Sequence, residues 1–413
     1  MRMKFNKSSQ LVLVSAAGLL VASLVTACSQ ITQTLTVDFV FVASSKAAGP
    51  DNYGEIDIFE VNSESGAMRQ IPASPVPSGG RYPIAEAVSS DNQSLFVVNQ
   101  DDNNIVQFVI GNDGKLYPFN TVNTPGVFPL AVAANASNLF VVDTYQPLPS
   151  CSTAAPCSGS IAAYPLTKAT STVPVTIGTP AINAGISSNY WPLTLAGKPS
   201  DVIVPTGVNI LGSGSYVYVT AYDSSVTPNV GYLFGFGVGS GGVLTPLSGS
   251  PFAAGTLPSA VASDAAGKYL YVTDYARGNV LGFSATAGIP TPLAGSPFPA
   301  GNAPSAIVVN PSFAFAYVTN STDSTVSAYS MNSGVLTRVG TYTVGLQPVA
   351  IGIDPSTNHF LYTANFLGNN VTGFELSQTA GTLLDAQFSP FPSNNQPTAI
   401  AAIPHNGTGA GVH

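Results

Sequence analysis

Leu244-Thr245-Pro246-Leu247-Ser248-Gly249-Ser250-Pro251-Phe252 returns 46 residues later as Ile289-Pro290-Thr291-Pro292-Leu293-Ala294-Gly295-Ser296-Pro297-Phe298, with one residue of slack at its start. The flanks repeat with it. Each copy runs into a proline followed by a short apolar stretch, and these anchors read as Pro83, Pro129, Pro199, Pro258, Pro304, Pro348 and Pro397. A β-rich tetrad follows the first six: Phe96-Val97-Val98-Asn99, Phe140-Val141-Val142-Asp143, Tyr218-Val219-Thr220-Ala221, Tyr271-Val272-Thr273-Asp274, Tyr317-Val318-Thr319-Asn320 and Tyr362-Thr363-Ala364-Asn365. A seventh tetrad, Phe41-Val42-Ala43-Ser44, precedes every anchor, and Pro397 has none after it. That offset requires Thr398 to Ile403 to complete the sheet begun by the first tetrad. The spacing predicts an all-β fold, a seven-bladed β-propeller of four-stranded blades closed by pairing of the N- and C-terminal strands. Alternating apolar residues, β-branched enrichment and Asn/Asp/Gly turns such as Asp101-Asp102-Asn103-Asn104 support the strand assignment.

The composition agrees with a helix-poor, folded chain. Of 413 residues only 8 % are charged, against about 25 % in ordinary soluble domains. Gly and Pro number 40 and 33, while 45 % of residues are hydrophobic, enough apolar surface to oppose disorder. The formal charge is −8, and no basic run follows the first seven residues. Nucleic acid is therefore not expected as a partner. A propeller leaves only short, protected edges, which suits a chain with so few charges to guard exposed strands.

The N-terminus reads as an export signal. Arg2, Lys4 and Lys7 precede the uncharged stretch Leu11 to Val25, whose 15 residues are too few to span a bilayer comfortably. It ends in Val25-Thr26-Ala27-Cys28, which resembles a bacterial lipobox and makes Cys28 the expected lipidation site and mature N-terminus. The expected layout is a leader over 1–27, a short tether over 28–36, the propeller over 37–404 and a flexible tail over 405–413. An exported lipoprotein in the periplasm or at the cell surface, held to a membrane by its lipid and otherwise monomeric, follows. Cys151 and Cys157, with five residues between them in a Pro/Ser/Ala-rich stretch, are expected to pair as a disulfide in an oxidising compartment.

With Tyr271-Val272-Thr273-Asp274, Tyr317-Val318-Thr319-Asn320 and the Gly-Ser-Pro-Phe linkers at Gly249 and Gly295, the chain resembles the lactonase-like seven-bladed propellers, also called YVTN-repeat proteins, over about residues 36 to 404. The resemblance implies the fold. It also implies an activity: members resembling 6-phosphogluconolactonase hydrolyse a sugar lactone, and related propellers cycloisomerise muconates, with His, Arg and Glu around the channel.

Candidate site residues come from breaks in the repeat. Three residues after four of the anchors stand Val261, Ile307, Ile351 and Ile400, whereas Pro83 is followed at that distance by Glu86. Counted from Pro199, Asp201 replaces the usual Ala, and Arg81-Tyr82 and Lys198 directly precede their anchors. Buried carboxylates are costly unless paired or hydrated, so Arg81, Tyr82, Glu86, Lys198 and Asp201 form a candidate polar cluster at the channel mouth. The only Trp, Trp191, joins them from the Thr170 to Lys198 insertion. That insertion, with Ser45 to Gly54, Thr144 to Gly159 and Tyr222 to Val230, is expected to lengthen loops of the anchor-bearing face.

Catalytic candidates are few: Glu86, Arg81 and Lys198 are the groups that can polarise an ester carbonyl and activate water. His359 reads as a turn residue, and His405 and His413 lie beyond the last strand, so no family His carries over. No cofactor and no metal are expected; Asp101, Asp102 and Asp323 read as turn residues. Gly235 to Gly239 and Gly239 to Gly242 are only superficially phosphate loops, because no helix follows them. Phe252, Phe298 and Phe391 are expected to pack between blades. On this evidence the leading expectation is a non-catalytic scaffold for a small-molecule, glycan or protein ligand, with a lactone hydrolase as the alternative.

Overall fold

The computed structural model describes residues 36–404, apart from 63, 149–150, 152–155 and 171–172. The leader, Cys28, the tether up to residue 35 and the tail after 404 lie outside the described residues. Seven antiparallel sheets form a seven-bladed β-propeller: two are four strands in simple succession from the axis outward, and five have the outer strand in two pieces, one of these also closing the ring across the termini. Numbered along the chain, blades 1 to 6 begin with the innermost strands Pro83–Val88, Val127–Ala134, Ile203–Ile210, Pro258–Ser263, Pro304–Val309 and Pro348–Ile353. Blade 7 takes its innermost strand, Pro397–Pro404, from the C-terminus and its next strands, Thr36–Ala48 and Tyr53–Asn62, from the N-terminus. The closure has the register the repeat offset requires, with Phe39 opposite Ile403 and Val42 opposite Ile400.

The core lies between blades rather than on the axis. Seven apolar clusters are shared by neighbouring sheets, such as Tyr271, Phe298, Ala316, Val318 and Tyr329 between blades 4 and 5. Each tetrad position has a structural task that explains its recurrence. The Tyr hydroxyl crosses to the next blade, where it donates to a glycine carbonyl: Tyr218 to Gly288 (2.6 Å), Tyr271 to Gly334 (2.8 Å), Tyr317 to Gly381 (3.3 Å) and Tyr362 to Gly66 (2.9 Å). These rings are fully buried, so the donor needs such a partner. The Val enters the interblade core. The Thr hydroxyl accepts the backbone amide freed by a β-bulge after the anchor, as Ala260 N to Thr273 and Ala306 N to Thr319, both 2.9 Å. The terminal Asp or Asn holds the linker preceding the anchor: Asp274 accepts from Thr256 N and Leu257 N, and Asn320 accepts from Gly301 N.

The Ser-Pro-Phe linker is equally structural. Its Ser hydroxyl accepts the third-strand amide left open where the outer strand is interrupted, in Gly235 N to Ser250, Gly282 N to Ser296 and Gly373 N to Ser389. Phe298 and Phe391 are buried between blades and Phe252 half-buried, as expected. Gly282 must lack a side chain, since a Cβ there would stand 2.7 Å from the Phe298 ring.

Blade 3 corrects the anchor assignment. Its bulge falls between Pro205 and Gly207, with Pro205 opposite Ala221, so Pro205 and not Pro199 is the structural anchor. Pro199 belongs to the linker that precedes the strand. The Thr170 to Lys198 insertion also departs from expectation. It begins in the turn between third and outer strands, on the face opposite the anchors, and supplies the outer pieces Thr176–Ile177 and Trp191–Pro192 before returning to the anchor face.

Candidate active site at the channel mouth

The seven innermost strands enclose an axial cavity of about 340 Å³, lined by the first three residues after each anchor. Its hydroxyls are engaged in holding the ring together. Ser259, Ser305 and Thr398 each donate to the anchor carbonyl of the following blade, Pro304, Pro348 and Pro83, at 2.6–2.7 Å. Ser259 faces Thr273 and Ser305 faces Thr319, whereas Ile84 and Leu130 stand in blades whose tetrads carry Val98 and Val142. Among the described lining residues none is Lys, Arg or His.

Glu86 is the exception in this wall. The other six blades place Val132, Val208, Val261, Ile307, Ile351 or Ile400 at its position. The residue belongs to the lining, yet both carboxyl oxygens are shut away from solvent and make no regular hydrogen bond. Burial pushes its pKa well above the ordinary carboxyl value, opposed only by the Ala401 backbone amide of blade 7. The group is an acid held in an apolar slot between two innermost strands.

The other sequence candidates do not join it. Arg81 is exposed and engaged with Asp102, its Nε donating at 2.7 Å to Oδ1 while its backbone amide donates at 2.7 Å to Oδ2. Asn302 and Asp323 repeat that arrangement at the same positions of blade 5. The pair is thus a turn fastening inherited with the repeat, and it also accounts for two of the acidic turn residues. Exposed Lys198 and half-buried Asp201 form an ion pair at 3.3 Å within the linker before Pro205, because the true anchor lies four residues further on than Asp201. Trp191 is 4 % exposed and packs into the core between blades 2 and 3. Cys151 and Cys157 are joined as a disulfide in the Thr144 to Gly159 segment. His359 is half-buried with its ring edge-on to Phe360.

Tyr82 stands directly before its anchor, on the anchor-bearing face, with a positive φ of 55°. Phe128 occupies the same place in blade 2, φ 56°, with Tyr145 edge-on at 6.1 Å. These half-buried rings form an aromatic group on the anchor-bearing face of blades 1 and 2. Sequence reasoning also missed Asn209, four residues after Pro205, where other blades carry Ala, Val or Gly. Its Oδ1 is buried without a partner. Spacing held the missed signal: Pro205 precedes Tyr218 by 13 residues, as Pro258 precedes Tyr271 and Pro304 precedes Tyr317.

Comparison with known proteins bears on this geometry. Residues 282–400 match the family model described as lactonase, 7-bladed beta-propeller. A search of curated proteins gives no match. Among solved structures, a "putative 6-phosphogluconolactonase" from Bacteroides fragilis is 18 % identical, with 90 % of this chain and 99 % of that chain covered at a TM-score of 0.68. A second structure so described, from Bacteroides uniformis, is 16 % identical, covers 89 % and 100 %, and has a TM-score of 0.70. The periplasmic gluconolactonase of Pseudomonas aeruginosa is 16 % identical, covers 89 % and 99 %, and has a TM-score of 0.68. The chain thus matches the lactonase family model over its C-terminal blades and resembles these solved structures in fold.

Proposed function

We propose that the protein is an exported, lipid-anchored lactone hydrolase that takes an unphosphorylated lactone at the mouth of its axial channel. The observation that carries this reading is Glu86: an acid of raised pKa where the other six blades place Val or Ile in the channel wall. Held protonated, it can donate to the lactone carbonyl as water adds to the acyl carbon. The tetrahedral adduct then releases the ring oxygen as a hydroxyl, and water has been added across the acyl–oxygen bond to give the hydroxy acid. Rotation of the side chain out of its slot precedes proton donation, because neither oxygen faces the cavity in the resting structure.

The aromatic group of Tyr82, Phe128 and Tyr145 supplies apolar faces against which a sugar-like ring can stack. A phosphate would meet no cation in the cavity lining, which favours a neutral substrate. Likeness to both phosphogluconolactonase-type structures and a periplasmic gluconolactonase favours hydrolysis over the non-catalytic scaffold of the leading sequence expectation. That the latter protein is periplasmic removes any conflict between export and lactone chemistry. The test is hydrolysis of glucono-1,5-lactone by the purified protein, followed as acid release in a pH-stat. We expect turnover above the spontaneous rate, reduced at least about tenfold by Glu86→Gln. Absence of turnover, or a rate unchanged in that variant, overturns the reading.

A further inference from the structure

On the face opposite the anchors, a concave groove runs between each blade and the next, and five of the seven grooves are plugged. The plug is the aromatic residue two places before the tetrad aromatic. Phe39, Tyr216, Tyr269, Phe315 and Phe360 each lay their ring against a positive-φ glycine of the following blade: Gly114, Gly288, Gly334, Gly381 and Gly66. In blade 1 the position holds Ser94, and the insertion of blade 2 closes the groove instead, its Val175 carbonyl accepting from Gln107. Between blades 2 and 3 the position holds Asn138, facing Gly242, and nothing takes the place of the ring. An open cleft of about 740 Å³ results, within the roughly 300–1,000 Å³ of small-molecule sites.

The cleft has an unusual wall. No charged and no aromatic side chain lines it. Asn138 is only 7 % exposed, lines the cleft and makes no side-chain hydrogen bond within the described protein. The hydroxyls of Ser137, Ser215 and Ser240 also line it and likewise bond to no described protein group. Gly214 and Gly241, both at positive φ, bring bare backbone to the surface. The Gly239 to Gly242 turn, superficially a phosphate loop in sequence, is thus part of a neutral wall. The Asn138 amide and these serine hydroxyls therefore offer both donors and acceptors to a molecule in the cleft.

We propose that this cleft binds a neutral saccharide of two to three rings, at a site separate from the axial channel. A polyhydroxylated ligand offers both donors and acceptors, as the wall does. A phosphate or carboxylate would enter a pocket without countercharge, and a peptide would find few apolar anchors beyond Leu166 and Val238. The test is calorimetric titration of the purified protein with cellobiose, maltose, diacetylchitobiose and their trisaccharides. At least one is expected to bind saturably with a Kd in the micromolar to millimolar range, about 10⁻⁶–10⁻³ M. Asn138→Phe restores the plug of the other grooves and is expected to abolish that binding while the melting temperature holds or rises. Should this variant fail to fold, Ser215→Ala with Ser240→Ala replaces it, and binding is expected to weaken at least about fivefold. No binding by any of these sugars at about 10 mM, or affinity unchanged in the folded variant, overturns the proposal.

Discussion

Asp143 offers a quantitative check on how the tetrads work. It fills the terminal tetrad position of blade 2, is wholly buried, and accepts at Oδ2 from Gly126 N. Burial raises its pKa to about 7, opposed by hydrogen bonds from Thr124 and the Gly126 amide. Directly across the ladder stands Ser160, and both Asp143 Oδ1 and Ser160 Oγ lack partners. Blades 1, 5 and 6 carry Asn99, Asn320 and Asn365 at the equivalent position, and the Asn320 amide donates to Thr325 and Ser327. Asp143→Asn therefore keeps the acceptor for Gly126 and gives Ser160 a donor. The folded-state pKa lies above the unfolded value of about 3.8, so the folded chain binds the extra proton and stability falls as pH rises from about 4 through about 7. A shift of about 3 units corresponds to a pH-dependent loss of the order of 4 kcal/mol, fully expressed above about pH 8. At roughly 1–2 °C per kcal/mol for a chain of this length, the variant and the parent should melt together near pH 4. By pH 8 the variant should melt about 4–8 °C higher. Circular-dichroism melts across that range measure it, and parallel pH profiles for the two proteins would refute the reasoning.

Asp38, buried between the closing strand and blade 6, hydrogen-bonded by Ser356 and near Asp354, is raised to about 8 chiefly by burial. Asp38→Asn should flatten the fall in stability between about pH 4 and 8, a slope read from the same melts. Tyr271→Phe, which removes one interblade hydroxyl and leaves the Gly334 carbonyl bare, should cost about 1–2 kcal/mol in urea denaturation without altering the fold. Deleting the chain from Gln396 onward removes the innermost strand of blade 7, so cooperative unfolding should be lost throughout rather than one end fraying; an unchanged transition in the truncated protein would contradict the closure. Cys28→Ser should abolish fatty-acid labelling and leave the leader attached, with persistent label arguing against the lipobox.

The ring was legible because each blade must present the same contacts to two neighbours, and such a requirement imprints a periodic sequence. Tyr271 and Tyr317 recur because each needs a carbonyl in the next blade, and Asp274 and Asn320 recur because each holds a linker. The register of blade 3 was illegible from prolines alone. An inserted linker brings prolines of its own, and only pairing across the bulge distinguishes Pro205 from Pro199. The misassignment moved Lys198 and Asp201 from the linker before Pro205 to the channel and hid the innermost-strand position of Asn209. Glu86 was legible as a break in an aliphatic column, whereas the retreat of its oxygens from the cavity depends on the spacing of two strands distant in sequence.

The departures from the repeat are not scattered around the ring. Glu86, the aromatic group, the disulfide-bearing segment, Asn209 and the open cleft at Asn138 all belong to blades 1 to 3. The tetrad hydroxyl that fastens each blade to the next runs from blade 3 to blade 7 but is missing where Phe41, Phe96 and Phe140 replace Tyr. The family match covers residues 282–400, from blade 4 to the closing strand. One physical cause accounts for both facts. Where the contacts repeat, each side chain is fixed by its neighbours and the family pattern survives; where insertions and substitutions loosen that constraint, the surface is free to acquire its own chemistry. The stretch that matches the family model is thus the stretch where the interblade contacts repeat, and the chemistry proposed for this protein falls in blades 1 to 3.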